Sequence, residues 1–471
     1  MQPYFLSIRE RWQHVWVAGK GAPLLLIHGS PNRALTLRPI IEHLSKDFLV
    51  LAPDTPGNGY SEALPEGKGR AEHYAAALLD VMDTLGIDAF GVYGFHTGAT
   101  LAAELAVLAP TRLTAVALDG FPLWTADEAA ALDDRYLTPM EPSANGAHLA
   151  AVWSRALDQN LFFPWYDGRA QSAIDYDLSE LDRLHSRTMD FLNAGPSYIA
   201  PYRTALRPDG QRRVMRLADT NLPVLLLAER SDVLASHAHR LPPESPYEYE
   251  ILPGIDERFH RIRQFFRHAP TRTLDARLQP TESTRRYVQP QQLDLRDDEW
   301  IFADLPRSEP TAIWLHELGS SHKRGHTSAL RLDLPGHGFS SAPWPKHVSK
   351  GISLVQSAIG LLGLDDIPIT GDGLGAEVAK HVADMTAGKT RPAITMAMPH
   401  VPDIHPTWEG AHLLRAWHYA RLKSQYRDWT TPTVANRIRA DMPTPGQLQE
   451  RTLDLLRAGP NTLSTLGRPI L

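Results

Sequence analysis

Gly91-Val92-Tyr93-Gly94-Phe95-His96-Thr97-Gly98-Ala99-Thr100 decides how this chain is read. Val92 and Tyr93 belong to a short apolar run of strand character, and Thr100 to Leu108 carries apolar residues at helical spacing. Chain direction must therefore reverse from strand to helix within about five residues, and Gly94 and Gly98 flank that turn. Working outward, Pro23-Leu24-Leu25-Leu26-Ile27, Phe48-Leu49-Val50-Leu51 and Leu113-Thr114-Ala115-Val116-Ala117-Leu118 are further continuous apolar runs of strand length. Tyr74 to Leu85 again has helical periodicity. Strand and helix alternate, which predicts an α/β protein with a parallel sheet covered on both faces. Ligands in such sheets bind beyond the carboxyl ends of the strands.

The chain has 471 residues, enough for two to three domains at about 150 residues each. It contains no cysteine, which excludes disulfide scaffolds, thiolate metal sites and a cysteine nucleophile. A net charge of −6 gives no global basic surface to attract nucleic acid or anionic lipid. No apolar run approaches the roughly 18 residues that cross a bilayer. Met1 to Val17 lacks the basic, apolar and small-residue regions of a signal peptide, so a cytoplasmic location is the default expectation.

Three segments recur in order. Asp54-Thr55-Pro56-Gly57-Asn58-Gly59-Tyr60-Ser61 returns as Asp333-Leu334-Pro335-Gly336-His337-Gly338-Phe339-Ser340. Gly146-Ala147-His148-Leu149 with Trp153 returns as Gly410-Ala411-His412-Leu413 with Trp417. Arg187-Thr188-Met189-Asp190-Phe191-Leu192 returns as Arg451-Thr452-Leu453-Asp454-Leu455-Leu456. The pattern predicts tandem copies of a large domain: a first unit over 1–268, a polar linker over 269–286, and a second unit over 287–471. The second stops soon after its last match and has no counterpart of residues 210 to 266. Its sheet would then present an edge, and packing of the two units within one chain is the expected cover, with a homo-oligomer as a further possibility.

His28-Gly29 after one strand, Asp54 to Ser61 after the next, and Gly94-Phe95-His96-Thr97-Gly98 between strand and helix together resemble the α/β-hydrolase superfamily. The resemblance is nearest to its capped members, such as haloalkane dehalogenases, epoxide hydrolases and carbon–carbon bond hydrolases. It implies two tandem α/β-hydrolase-fold units with helical caps, over about 124–215 in the first and 401–471 in the second, which is truncated after its cap. In that family the nucleophile stands at the centre of a small-x-nucleophile-x-small turn. Gly94 and Gly98 fill the small places, so His96 stands where Ser, Asp or Cys is usual. A frame centred on Thr97 would place Phe95 and Ala99 at the small positions, where Phe is sterically disfavoured.

The resemblance further implies an oxyanion hole from the backbone amides of Ser30 and Thr97, which needs no serine side chain. The loop Glu229-Arg230-Ser231-Asp232 after a strand makes Asp232 the candidate acid. The family's histidine is expected after Pro253-Gly254, where Glu257 stands; His260 is the remaining candidate, although its place suits a half-exposed helix histidine better. A neutral imidazole at residue 96 can serve as general base or as nucleophile towards an activated acyl group. Candidate substrate contacts are His28 and, from the aromatic-rich cap, Trp153, Phe163 and Trp165, for which helix packing is the competing role. His148 and His412 recur and read as structural, through a hydrogen bond at a helix start.

In the second unit, Gly371-Asp372-Gly373-Leu374-Gly375 puts Gly373 at the central place, so a degenerate, inert copy is expected. The function implied is a cofactor-independent hydrolase acting in the first unit on a small ester, lactone, thioester or diketone. Two alternatives stay open: a non-catalytic ligand-binding or scaffolding protein, and a lyase or isomerase using the same oxyanion hole. No metal is implied.

Overall fold

The apolar runs form strands because both faces of the sheet are covered. In the computed structural model, which describes residues 1–471 except 175–176, 271–282, 291–294, 297, 387–399, 467 and 471, Leu25, Ile27, Val92, Val116, Leu118 and Leu226 pack into one core. Their neighbours Leu24, Leu26, Tyr93, Ala115, Ala117, Leu225 and Leu227 pack into another on the opposite face. Side chains alternate across a strand, so a strand buried on both faces must be apolar throughout.

The chain divides into two units, Met1–Glu141 with Val152–Glu282, and Pro142–Ala151 with Ser283–Leu471. The first holds β1 (Gln2–Ile8), β2 (Arg11–Ala18), β3 (Ala22–Ile27), β4 (Phe48–Pro53), β5 (Phe90–Phe95), β6 (Leu113–Asp119), β7 (Val224–Glu229) and β8 (Tyr249–Leu252). Their order is β1-β2-β4-β3-β5-β6-β7-β8. β1, β2 and β4 pair antiparallel, and all pairings from β4 to β8 are parallel. The helices between β3 and β6 are α1 (Arg38–Leu44), α2 (Ala71–Thr84) and α3 (Thr97–Leu108). Between β6 and β7 the described residues form the α-helices α4 (Ala126–Tyr136), α5 (Ala147–Asp158), α6 (Leu181–Ala194), α7 (Ile199–Ala205) and α8 (Gly210–Ala218). The last helix of the unit is α9 (Ile255–His268). The expected strands and helices of the first unit are all present, each within a few residues of its anticipated ends.

The second unit contains β9 (Arg285–Val288), β10 (Ile301–Asp304), β11 (Ile313–Leu315), β12 (Leu330–Leu332), α10 (Val348–Leu361), β13 (Ile369–Gly371) and α11 (Leu374–Thr386). β14 (His400–Pro402), α12 (Ala411–Lys423), α13 (Pro445–Leu466, kinked at Gly459) and β15 (Arg468–Ile470) follow. Its main sheet has the order β13-β11-β12-β10-β9. Read from β9, this is the order of the first five strands of the first sheet. Most of the anticipated linker, and the segment after α11, lie outside the described residues.

Among the described residues no helix is long and apolar enough to cross a membrane.

Candidate active site at the β5–α3 turn

The two glycines of the turn are there because no side chain fits. A Cβ on Gly94 would lie 2.1 Å from the Gly98 carbonyl oxygen, and one on Gly98 would lie 2.0 Å from that of Ile27. These contacts set the frame and leave residue 96 at the tip. His96 has φ 51 and ψ −108, a strained backbone for a residue with a side chain. Its amide donates to the Asp119 carbonyl at 2.9 Å, which fixes the tip against the end of β6. Helix α3 begins at Thr97, whose amide is among the donors that a helix start leaves without an intrahelical acceptor. Gly29 packs on the tip, its Cβ position 3.4 Å from the Cβ of His96, so Ser30 follows directly beside the turn. The Ser30 and Thr97 hydroxyls are both buried without a partner among the described residues.

His96 meets Asp232 from the loop after β7: Nε2 lies 2.7 Å from Oδ2. A carboxylate only accepts, so Nε2 carries the proton, and in the neutral ring Nδ1 keeps its lone pair. Burial pushes the Asp232 carboxyl up, but attraction and hydrogen bonding from His96, the Leu234 amide and Arg258 outweigh it and hold it below the ordinary carboxylate value. The Leu234 amide donates to Oδ1 at 2.8 Å, so both oxygens are oriented. Gly120 makes the approach possible. It has φ +63, and a Cβ there would sit 2.4 Å from Cδ2 of His96 and 3.3 Å from Oδ2 of Asp232. Phe95 stacks on the imidazole with centroids 4.0 Å apart and the planes 17° from parallel.

Beneath the pair is a buried network that the sequence reading did not find. Asp119, the last residue of β6, accepts from the Tyr93 hydroxyl at 2.7 Å and pairs with Arg258 at 3.1 Å. Burial, reinforced by Asp232, pushes its carboxyl up to about 6 against the pull of Arg258, Tyr93 and His96. Arg258 also reaches Glu229 at 3.7 Å, and its guanidinium lies 5.5 Å from the Phe95 ring. The available signal was a carboxylate closing an otherwise apolar strand, together with an arginine one residue after the expected histidine position.

His260 does not join the site. The buried positions of α9 are Arg258, Ile262 and Phe266, one helical face at spacing four. Residue 260 lies about 200° around the helix from 258 and is exposed. Glu257 is exposed as well, so α9 contributes Arg258 and no histidine.

A cavity of about 110 Å³ opens at His96 and Thr97 and is walled by Trp124, Tyr136, Phe163 and Tyr202 among others. The Tyr136 and Tyr202 hydroxyls lie 3.2 Å apart, and Gln159 donates to the former at 3.2 Å. Of the three cap aromatics singled out in the sequence, Phe163 lines this cavity and the other two do not. Trp153 is buried on α5, and Trp165 donates from Nε1 to the Tyr136 carbonyl while lying 4.9 Å from the Arg155 guanidinium. His28 is also outside the cavity. Fully buried, it accepts the Thr55 amide at Nε2, 2.8 Å, and donates from Nδ1 to the Gly29 carbonyl, tying the ends of β3 and β4 together. Among the described residues no group of three or more His, Asp or Glu side chains is placed to hold a metal ion.

The second unit repeats the local frame without the side chains. Gly373 has φ +50, and a Cβ on Gly375 would lie 2.1 Å from the Leu315 carbonyl oxygen. His316 accepts the Leu334 amide at 2.9 Å and bonds the Glu317 carbonyl at 2.8 Å, the same set made by His28. Asp54 and Asp333 are equally matched. Each receives a histidine Nδ1, at 3.0 and 2.8 Å, and a backbone amide six residues on. His148 and His412 each accept, at Nδ1, the backbone amide five residues earlier, Ser143 at 3.1 Å and Thr407 at 3.3 Å.

Residues 22–154 match the family model described as the alpha/beta hydrolase fold. Over 128 residues the chain is 34% identical to haloalkane dehalogenase 2 of Mycobacterium bovis, covering 27% of this chain and 44% of that protein. It is 36% identical over 109 residues to 2-hydroxymuconate semialdehyde hydrolase of Pseudomonas putida, covering 22% and 37%. Epoxide hydrolase A of Mycobacterium thermoresistibile is a similar solved structure, with 20% identity, a TM-score of 0.44, and coverage of 57% of this chain and 99% of that one. The chain spans less than half the length of these two curated relatives. The parallel strand order, the glycine-flanked strained turn and the matched segment together give the first unit the α/β-hydrolase fold.

Proposed function

We propose that the first unit is a cofactor-independent hydrolase for a small carbonyl compound, an ester, lactone, thioester or diketone, with His96 as general base. The observation that carries this reading is the 2.7 Å contact between Nε2 of His96 and Oδ2 of Asp232. It leaves Nδ1 as the basic atom and supplies a carboxylate that stabilises the imidazolium once a proton arrives. Water gives its proton to Nδ1 as its oxygen bonds to the substrate carbonyl carbon. The carbonyl electrons move to oxygen, where the Ser30 and Thr97 amides stabilise the anion. Collapse breaks the bond to the leaving group, which takes the proton from the imidazolium. Tyr136 and Tyr202 offer hydroxyl donors on the cap side of the cavity. The names of two matched relatives, a semialdehyde hydrolase and a haloalkane dehalogenase, accord with small substrates.

The test is turnover of an ester and lactone panel by the wild type and His96→Ala. Loss of turnover in the variant supports the reading, and unchanged turnover removes it. A fluorophosphonate serine probe is expected not to label the β5–α3 turn.

A second reading, a ligand-binding protein without turnover, is favoured by the small size of the cavity, about 110 Å³ where small-molecule sites run from about 300 Å³. Saturable binding that survives His96→Ala, with no turnover by either protein, distinguishes it. The second unit, with glycine at the tip of its turn, is read as a degenerate copy that performs no chemistry.

A further inference from the structure

In the second unit the turn tip and the loop after β11 meet at Glu317. A Cβ on Gly373 would lie 3.0 Å from that of Glu317, a tight contact, and glycine itself supplies no nucleophile at this place. Beside Glu317 lies a cavity of about 310 Å³, within the range of small-molecule sites. Glu317, Ser320 and Arg324 line one side, and Lys423, Arg427 and Arg451, from α12, the turn after it and α13, line the other. Four cations therefore face one carboxylate. That carboxylate is engaged, because Lys423 Nζ lies 2.6 Å from Glu317 Oε2. Arg324 is 3.8 Å from Asp454, which is not a cavity residue and also pairs with Arg457 at 3.0 Å. Arg451 donates to the neutral Ser424 hydroxyl. Burial, and after it the nearby charge of Arg324, lower the pKa of Arg451 against the pull of Glu317. Ser320 is 3% exposed, and its hydroxyl has no partner among the described residues.

The geometry points to an anion-binding site at the strand ends of the second unit, which takes a small organic molecule through a carboxylate or phosphate group. Guanidiniums suit both, since their paired N–H groups match two oxygens. In this assignment the second unit has exchanged a reaction centre for a recognition site at the same place in the fold.

The experiment titrates the full-length protein at low ionic strength with inorganic phosphate and, separately, with malonate, by calorimetry and thermal shift. Saturable binding of either is expected, with affinity falling as sodium chloride rises. Tighter binding of one anion identifies the headgroup. Arg451→Ala and Arg324→Ala are each expected to weaken binding roughly tenfold or more. His96→Ala, in the first unit, is expected to leave it within about twofold, since residue 96 does not line this cavity. If Arg451→Ala does not fold, Arg324→Gln and Arg427→Gln at exposed positions carry the test. No saturable binding of either anion below about 10 mM, or binding that survives the arginine substitutions, overturns the assignment.

Discussion

Replacing Asp232 by asparagine tests the proposed chemistry with almost no change of shape. The hydrogen bond at stake is 2.7 Å long, to a side chain only 6% exposed. Charge-assisted bonds of this kind contribute about 1.5–3 kcal/mol. If the bond strengthens fully as the imidazolium forms, its loss lowers kcat/KM by roughly 10- to 150-fold. A second effect adds to this. In Asp232→Asn the amide oxygen stays on the Leu234 N–H, the bond that Oδ1 of Asp232 accepts at 2.8 Å, and the amide nitrogen turns a donor towards Nε2 of His96. Two donors then face each other unless the ring proton moves to Nδ1, the atom proposed to act as base. The expected result is a fall in kcat with KM little changed. The assay pairs steady-state kinetics on the ester and lactone panel with ¹⁵N–¹H long-range correlation spectra of histidine-labelled protein, which show which ring nitrogen is protonated. The wild type should carry the proton on Nε2, and Asp232→Asn should carry it on Nδ1. A wild-type proton on Nδ1, or undiminished turnover by Asp232→Asn, refutes the reasoning.

Other outcomes follow from the same geometry. Gly98→Ala places a Cβ 2.0 Å from the Ile27 carbonyl oxygen and should destabilise the protein by about 3 kcal/mol or more, whereas Gly168→Ala, with no atom within 4 Å, should stay within about 0.5 kcal/mol; thermal melts of both decide it. Arg258→Leu strands the buried Asp119 carboxylate and should cost about 3–5 kcal/mol near neutral pH. The Asp119 pKa is raised in the folded state, so this loss should be larger at pH 8 than at pH 5, where protonation relieves it, and an equal loss at both would contradict the pairing. Burial lowers the His237 pKa to about 4, so the unfolded chain takes up its proton first as pH falls from about 6.5. The contribution of the neutral ring to stability is then present above that pH and is lost towards pH 4, by roughly 1–3 kcal/mol. His237→Gln, which keeps an acceptor for the Leu123 amide, should flatten the pH dependence in urea titrations. His260→Ala should leave turnover unchanged, because the side chain lies on the solvent face of α9.

The sequence by itself determined the strand–helix order, the position of the turn and the residue at its tip. These are local matters. Apolar runs follow from burial on both faces of a sheet, and Gly94 and Gly98 follow from backbone contacts made within a few residues. The emptiness of the second turn at Gly373 was legible for the same reason. Asp232 was legible as a candidate, because a strand end and its loop are visible in the sequence. What only the tertiary structure decided is which of these groups meet. His96 and Asp232 are 136 residues apart, and their contact depends on Gly120, whose missing Cβ leaves room for the ring. The phase of α9 was set by packing Ile262 and Phe266 against the sheet, and that phase turned Arg258 inward and His260 outward. The same holds for the cap, where Phe163 reached the cavity while Trp153 and Trp165 were taken up by helix packing. Side-chain partners across a fold depend on rotations and separations that no local pattern encodes. The residue types of this site could therefore be named from the sequence, but its hydrogen bonds could not.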